Sequence, residues 1–370
     1  MTNPTVTFIF NLVQDVNIIR PAALLAARRL KVSIQFLVSA RFRVRDRDGM
    51  WWKEVTKLSA FCNAELGMYD TPYSAFRHLQ GRHGAIVSSS ESNLAAHIET
   101  HDVFAVSPPG FVRVTLQHGY ECVGFLQNRE HNTAHGRNVR FGADIVGAWS
   151  SARRLRSMPA SERSKLFVTG PGSVLQQPSR KDQSTARDGL VCENLHSVRL
   201  KASGDMRSGF MEVFGQFCRH LDQDGEQLAL RPHPGGQYFA RNGISPPKNV
   251  YLEPSPIYEV DLTSFAYGIS APSSVVLDMV LAGIPTAVWS DPDGVMDVGN
   301  YEGLTMISDL DSWLAFRRDA QLRPAMILAR QARFLSNLEM PLDPTEVEAR
   351  FLELLQVASR GVVRREENAL

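Results

Sequence analysis

Cysteines are few in this sequence, and long hydrophobic runs are missing. The 370 residues include four cysteines, Cys62, Cys122, Cys192 and Cys218, which are far apart and form no CxxC pair. Neither a zinc site nor a disulfide framework is indicated, so reduced cytoplasmic thiols are the simplest account. The apolar run from Val6 to Phe10 is too short for a signal peptide or a membrane span. We therefore expect a cytoplasmic protein.

Excess charge and the common phosphate-binding fingerprints are also lacking. The formal net charge is +1 at pH 7. Because this charge gives no overall electrostatic attraction to nucleic acid, no nucleic-acid partner is expected. GxGxxG is missing, as is GxxxxGK followed by Ser or Thr, which disfavours a dinucleotide oxidoreductase and a P-loop NTPase. Arginine clusters at 150–156 and 362–365 leave open a peripheral association with anionic lipid at the inner face of the membrane. Solvated helix faces and a frayed tail are the alternative interpretation.

What the sequence does contain is an alternation of short apolar runs and helical patterns. In the first half the predicted strands are Val6–Phe10, Val32–Val38, Ala85–Ser88, Val112–Leu116, Ile145–Trp149 and Lys165–Thr169, with a helix at Arg20–Leu30. In the second half they are Gly189–Cys192, Gln227–Leu230, Val250–Leu252 and Thr286–Trp289, with a helix at Gly209–Leu221. Such alternation is typical of parallel sheets with crossover helices.

A polar stretch without apolar periodicity, 176–188, separates these two series and is the predicted linker. We expect an α/β protein with two Rossmann-like domains and a cleft between them. The predicted domains are 1–177 and 189–311. Residues 312–370 are predicted to be helices, broken at Pro324 and Pro341, that brace both domains.

The most informative stretch is 266–290. A short apolar run ends at Ser270, and Ser273 and Ser274 open a helix whose hydroxyl groups and free backbone N–H groups suit a phosphate. Gly283 stops that helix before the next buried strand. This succession of strand, anion-binding turn, helix and strand predicts a site for a nucleotide or its pyrophosphate.

The first polar cluster follows a predicted strand end at 115–121. Gln117 and His118 end the strand, Gly119 permits a tight turn, and Glu121 comes two residues later. A histidine and a carboxylate at such a junction can serve as general acid or base. The alternative is that His118 satisfies a loop carbonyl and that Glu121 lies in water.

The second cluster is Leu230-Arg-Pro-His-Pro-Gly-Gly236. Two prolines fix the backbone on both sides of His233, and Arg231 supplies a fork of donors that fits a phosphate or a carboxylate. We expect both side chains to contact a donor phosphate; a turn that simply contains a histidine is the alternative.

The third cluster, 192–199, follows the first strand of the second half. It combines Glu193 with three donors, Asn194, His196 and Arg199. This set suits catalysis or recognition of an acidic sugar across the cleft. An inter-domain polar network is the alternative.

Together these motifs carry a family resemblance. Gln117-His-Gly119, Arg231-Pro-His-Pro234, Ser270-Ala-Pro-Ser-Ser274, Asp278 and Gly283-Ile-Pro285 occur in an order that resembles GT-B glycosyltransferases of bacterial surface polysaccharides. The most similar groups are the capsule and O-antigen Kdo transferases, the bacterial sialyl- and polysialyltransferases, and the CDP-glycerol glycerophosphotransferases. All of these use a cytidine nucleotide donor, and the resemblance covers roughly residues 110 to 290.

The resemblance implies that 1–177 is the acceptor domain and 189–311 the nucleotide-donor domain, and it implies roles for individual residues. His233, Ser273 and Ser274 would bind the donor phosphate, and Glu121 would act as acid or base on the acceptor hydroxyl. Glu193 lies where the retaining Kdo transferases place a carboxylate nucleophile. The complete predicted set is catalytic Glu121, His118 and Glu193, donor-binding Arg231, His233, Ser270, Ser273 and Ser274, and substrate contacts Gln117, Asn194, His196 and Arg199.

The implied activity is transfer of a sugar, such as Kdo or another acidic sugar from a CMP donor, to a polysaccharide or lipid-linked acceptor. The resemblance implies no bound metal and no other cofactor. Two alternatives stay open: a polyol-phosphate transferase of the CDP-glycerol type, and a non-catalytic scaffold that binds a nucleotide sugar.

Overall fold

A computed structural model describes residues 3–176, 188–201 and 204–361 of the chain. Its strands are β1 Thr5–Phe10, β2 Ser33–Ser39, β3 Glu65–Tyr69, β4 Gly84–Ser88, β5 Phe111–Leu116, β6 Ile145–Ala148, β7 Leu166–Val168, β8 Gly189–Cys192, β9 Leu228–Arg231, β10 Val250–Leu252, β11 Tyr267–Ser270, β12 Thr286–Trp289 and β13 Thr305–Ile307. Its α-helices are α1 Asp15–Arg29, α2 Ala40–Arg45, α3 Met50–Phe61, α4 Pro72–Leu79, α5 Ile98–Val106, α6 Arg129–His135, α7 Ala160–Arg163, α8 Arg207–Gln223, α9 Tyr238–Arg241, α10 Ser274–Ala282, α11 Leu310–Leu322, α12 Pro324–Ser336 and α13 Pro344–Ser359.

These strands form two parallel sheets. The first has the order β3-β2-β1-β4-β5-β6-β7, and the second has the order β10-β9-β8-β11-β12-β13. Every strand pair is parallel, as the alternating pattern predicts. In such sheets ligands bind beyond the carboxyl ends of the strands, near the point where the strand order reverses. Here the order reverses beside β1 and β4 in one sheet and beside β8 and β11 in the other.

Each sheet is buried by its own helices. In the first half, Phe8 and Phe36 of the sheet pack with α1 and α3 in one core, while Ile86 and Val146 on the other face belong to a second core. In the second half, β-strand residues such as Trp289 pack on α8 and α11. Strands buried on both faces read as continuous apolar runs, which is why the sequence pattern located most of them.

The last of the C-terminal helices, α13, packs on the first half of the molecule. α11 packs on α8 of the second half, whereas α13 packs on α1, with Phe351 and Leu354 in the core of the first sheet. Pro324 is the first residue of α12, and Pro341 lies between α12 and α13. The proposed domain limits 1–177, 189–311 and 312–370 stay predictions. Most of the predicted linker and the arginines at 362–365 lie outside the described residues.

Candidate active site between the two sheets

The loops after the central strands of both sheets line a cleft of about 700 Å³. From the first half come the loops that follow β1 and β5, and from the second half those that follow β8, β9 and β11. Ten of the twelve predicted site residues line this cleft: Gln117, His118, Glu121, Glu193, Asn194, His196, Arg231, His233, Ser273 and Ser274. The fold therefore brings three clusters that are far apart in sequence into one site.

The remaining two predicted residues, Ser270 and Arg199, are buried and do not line the cleft. The hydroxyl of Ser270 donates to the carbonyl of Ala271 over 2.6 Å. Arg199 lies below the loops, where its guanidinium contacts two carboxylates. The predicted roles of Ser270 in donor binding and of Arg199 in substrate contact therefore stay predictions.

The imidazole of His233 is held by the backbone of its own loop. Its Nδ1 accepts hydrogen bonds from the N–H groups of Gly235 at 3.1 Å and Gly236 at 3.0 Å. Because an accepting nitrogen carries no proton, the neutral ring has its proton on Nε2. Burial is the main cause that lowers the pKa of His233 well below its usual value, and the charges of nearby cationic groups act in the same direction. His233 is thus a neutral N–H donor in the cleft.

His196 stacks on His233 with ring centroids 3.7 Å apart. A Cβ atom at Gly236 would come within 3.0 Å of the His196 ring, so a glycine is needed there for this close approach. Burial also lowers the pKa of His196, to about 4. Both rings are therefore neutral at physiological pH.

Glu193 accepts hydrogen bonds from the backbone that follows the His233 loop. Its carboxylate accepts from the backbone N–H groups of Tyr238 and, at 3.2 Å, of Phe239, where the short helix α9 begins. Burial raises the pKa of Glu193, while these two hydrogen bonds oppose the rise. Both oxygens of the predicted nucleophile are thus engaged in holding the backbone next to His233.

The start of α10 forms the neighbouring wall of the cleft. Ser273 takes the N-cap position but makes no side-chain capping bond. Asn194 donates to the carbonyl of Pro272 and so fixes the turn that leads into the helix. One turn further on, Asp278 also lines the cleft. Burial raises the pKa of Asp278 to about 6, and the nearby hydroxyl of Ser173 and the charge of Arg231 oppose the rise.

Arg231 is buried at the end of β9 and lines the cleft. Its Nη1 donates to the carbonyls of Glu253 and Ser255, which lie after β10. It is the only lysine or arginine among the cleft-lining residues that the structure describes. Part of its guanidinium group therefore hydrogen-bonds the loop after β10. Among the described residues that line this cleft wall, its side chain carries the one permanent positive charge.

His118 faces this wall from the first half. Its Nδ1 lies 3.1 Å from the carbonyl oxygen of Ser89. A carbonyl can only accept, so Nδ1 carries the proton and Nε2 holds the free lone pair of the neutral ring. The sulfur of Cys122 lies 3.4 Å from Nδ1 and 3.8 Å from Nε2.

The pKa of His118 is raised to about 9. Burial alone would lower it, but the charge of Cys122 and its hydrogen bond, the charge of Asp15 and the Ser89 carbonyl all raise it and outweigh burial. At neutral pH the ring therefore holds its proton most of the time. This behaviour is opposite to that of His233.

Gln117 shapes the turn after His118. Its amide donates to the carbonyl of Gly119 over 2.8 Å, and its oxygen accepts from the N–H of Trp149 over 2.9 Å. A Cβ atom at Gly119 would come within 2.8 Å of the Ser274 hydroxyl. The same hydroxyl accepts from the N–H of Tyr120 over 2.8 Å. Ser274 consequently joins the two halves of the molecule at the centre of the cleft.

Glu121 is part of an ion-pair network between the halves. One oxygen pairs with the guanidinium of Arg199, and the other accepts from the amide of Asn300 over 2.7 Å. The side chains of Glu121 and Arg199 are 5% and 1% exposed. Glu130 completes the network, with its carboxylate 3.8 Å from Nε of Arg199. For Arg199 this arrangement matches the inter-domain polar network that the sequence left as the alternative.

Several cleft residues were missed by sequence reasoning. Cys122 and the three histidines His97, His131 and His135 line the cleft, and so does Asp278, which the sequence motifs include but to which no role was assigned. Asp278 stands four residues after Ser274, which puts both on one face of a helix; this spacing is a signal that was available. No comparable signal marks the histidines, because they come from α6 and from the loop before α5.

Two features are absent from the residues that the structure describes. In 3–176, 188–201 and 204–361, no group of three or more His, Cys, Asp or Glu side chains is arranged to hold a metal ion. No helix in these same ranges is long and apolar enough to cross a membrane.

No protein-family model matches the chain, and no curated protein matches it either. Solved structures do match over nearly the whole length. A putative UDP-N-acetylglucosamine 2-epimerase from Listeria monocytogenes is 12% identical with a TM-score of 0.64, and the match covers 100% of both chains. The UDP-GlcNAc 2-epimerase from Neisseria meningitidis, bound to UDP-GlcNAc, is 11% identical with a TM-score of 0.60, covering 95% of this chain and 99% of that one. The glycosyltransferase SnogD from Streptomyces nogalater is 14% identical with a TM-score of 0.51, covering 95% and 100%.

These similarities show the fold. The chain has the GT-B fold, with two Rossmann-like parallel sheets that face each other across a cleft. The predicted fold class is confirmed. The narrower resemblance to Kdo, sialyl and CDP-glycerol transferases is not tested by these structures.

Proposed function

We propose that this protein is a nucleotide-sugar-dependent glycosyltransferase. The observation that carries the proposal is the placement of His118 on one wall of the cleft and of His233 with the start of α10 on the other. One wall offers a group that can exchange a proton, and the other offers neutral donors suited to a phosphate. A sugar that joins the two is the substrate such a cleft would hold.

In the proposed reaction an acceptor hydroxyl attacks the anomeric carbon of the donor sugar. The bond between that carbon and the phosphate oxygen breaks, and the nucleotide leaves. The hydroxyl proton passes to Nε2 of His118 in its neutral form, whose lone pair accepts it. Donors at the start of α10 and Nε2–H of His233 stabilise the charge on the departing phosphate. We prefer His118 to Glu121 as the base because both oxygens of Glu121 are already bonded.

Asp278 is a further part of the proposed donor site. An ionised carboxylate only accepts hydrogen bonds, so it suits the hydroxyl groups of a ribose or of the donor sugar and not a phosphate. Its place one turn behind Ser274 puts it beside the proposed phosphate position. We expect Asp278→Asn to weaken binding of the nucleotide and to leave binding of inorganic pyrophosphate unchanged.

Two observations bear on which nucleotide the donor carries, and they favour different bases. The motif resemblance favours a cytidine nucleotide, with Kdo or another acidic sugar and a bacterial polysaccharide or lipid-linked acceptor. The fold similarity to a protein bound to UDP-GlcNAc favours uridine. A thermal-shift series with CMP, CDP, UDP, GDP and dTDP separates these, because a ligand that binds only the folded state raises the melting temperature. The largest shift with CMP or CDP supports the cytidine donor, and the largest shift with UDP replaces it.

A second candidate function is epimerisation of a nucleotide sugar. The higher TM-scores of the two epimerases, 0.64 and 0.60 against 0.51, favour it. An epimerase needs no acceptor. Incubation with a nucleotide sugar alone, followed by NMR of the sugar, would then show the isomer, whereas a transferase needs an added acceptor. Nucleotide binding with neither isomer nor transfer would support the non-catalytic scaffold.

A further inference from the structure

Beneath His118 lies a buried carboxylate that belongs to a different loop. Asp15, the first residue of α1, is fully buried in the loop after β1. Its Oδ1 accepts from the hydroxyl of Ser89 over 2.6 Å. Its Oδ2 accepts from the hydroxyl of Ser90 over 2.7 Å and from the N–H groups of Asn11 and Leu12 over 2.8 and 2.7 Å.

Four hydrogen bonds to two oxygens favour the ionised form of Asp15. A carboxylate can accept all four, whereas in an amide of the same shape the NH₂ group would take the place of Oδ1 and donate to the Ser89 hydroxyl. Burial raises the pKa of Asp15, and the four hydrogen bonds oppose the rise. Its place at the N-terminus of α1 also favours the anion.

The loop after β4 that contains Ser89 and Ser90, the serine loop, connects the carboxylate of Asp15 to His118. Asp15 holds the side chains of Ser89 and Ser90, and the carbonyl of Ser89 accepts from Nδ1 of His118 over 3.1 Å. The three loops follow β1, β4 and β5, which are neighbours in the sheet. The anion is therefore close enough to contribute to the charge environment of His118, and the loop it holds selects the tautomer.

We infer that Asp15 is the positioning residue for His118, fixing its Nδ1–H tautomer through Ser89 and placing a buried carboxylate near the ring. The inference rests on the proposed function only in so far as His118 is the base. Other charged or titratable groups near His118 are Cys122 on its own loop, His97 before α5 and His131 on α6. None of these contacts the Ser89 loop carbonyl that selects the tautomer.

The test is NMR titration of histidine side chains in the full-length protein, which needs no turnover. In the wild type, above the pKa of His118, we expect the Nδ1–H tautomer. In Asp15→Asn we expect the pKa of His118 to fall by about one pH unit. The wild-type tautomer can be measured even if the variant does not fold, and an Nε2–H tautomer there overturns the inference. An unchanged pKa of His118 in a folded variant overturns it as well.

Glu91→Gln is the matched control. Glu91 is a buried carboxylate in the same serine loop, but it pairs with His101 over 2.6 Å and does not contact His118. Its hydrogen bond is the main cause that raises the pKa of His101. The control should lower the pKa of His101 and leave that of His118 in place. A fall at His118 of the same size as in Asp15→Asn overturns the specific role of Asp15. Absence of any transfer activity with the expected titrations would count against the proposed function alone.

Discussion

His118 and His233 occupy comparable places in the two halves, yet their surroundings give them opposite properties. Each stands just after the carboxyl end of a parallel strand and faces the same cleft. Nδ1 of His118 meets a backbone carbonyl, and Nδ1 of His233 meets two backbone N–H groups. The first ring is therefore fixed as an Nδ1–H donor and the second as an Nδ1 acceptor.

The charge states follow the same division. Interactions with Cys122, Asp15 and the Ser89 carbonyl raise the pKa of His118 to about 9 against the effect of burial, whereas burial and cationic neighbours lower the pKa of His233. One fold thus supplies a proton-exchanging group on one wall and a neutral donor on the other. Because each property depends on a few contacts, single substitutions can test the difference between His118 and His233.

The largest effect is expected from removing the ring on the first wall. If His118 accepts the acceptor proton, His118→Gln should reduce the transfer rate about a hundredfold or more, the usual scale for general acid–base groups. Nucleotide affinity should stay within about twofold, since the phosphate site lies on the other wall. His101→Gln, outside the cleft, is the control. Transfer at the parental rate in the His118 variant would remove it from the mechanism.

The pH profile of transfer should show the raised pKa of His118. A base with a pKa of about 9 is mostly protonated at neutral pH, so the rate should rise nearly tenfold per pH unit from pH 7 and level off near pH 9. Nucleotide affinity should stay flat from pH 7 to 9, because His233 is neutral throughout. A rate that is constant across this range would contradict the assignment.

A smaller effect on binding is expected from the second wall. His233→Ala removes one hydrogen bond to a charged phosphate, which is worth about 1.5–3 kcal/mol, or about tenfold or more in Kd. Isothermal titration calorimetry with the best nucleotide of the thermal-shift series measures it. His220→Ala, on the exposed face of α8, should bind as the wild type does. Equal affinity in both variants would return His233 to the role of a turn residue.

The smallest effect on transfer is expected at Glu121. Replacing it by Gln removes the charge that faces buried Arg199, and breaking a buried ion pair typically costs about 3–5 kcal/mol of stability. We expect a clearly lower melting temperature and a transfer rate within about tenfold of the wild type. A hundredfold loss of rate with unchanged stability would instead restore Glu121 as the base that the sequence resemblance implies.

Sequence patterns located most central strands because these are buried on both faces and rich in apolar residues. Two of the four edge strands, β3 and β13, were missed, whereas the edge strands β7 and β10 were predicted. β3 contains a glycine and alternates exposed with buried positions, and β13 has three residues of which one is buried. The helices α2 to α5 in the first half also went unpredicted, although α3 carries Trp51, Val55 and Leu58 at helical spacing.

By itself the sequence determined that two parallel α/β units exist and that polar clusters end their strands, because apolar periodicity and the Pro, Gly and Ser residues at strand ends are local properties. Tertiary structure alone decided what each polar residue does. The partner of Glu121 is 78 residues away in the other half, and the carbonyl that sets the tautomer of His118 is 29 residues away in a neighbouring loop. Such hydrogen bonds form only between loops that the strand order of the sheet brings together. The strand order cannot be predicted from the periodicity of any single segment.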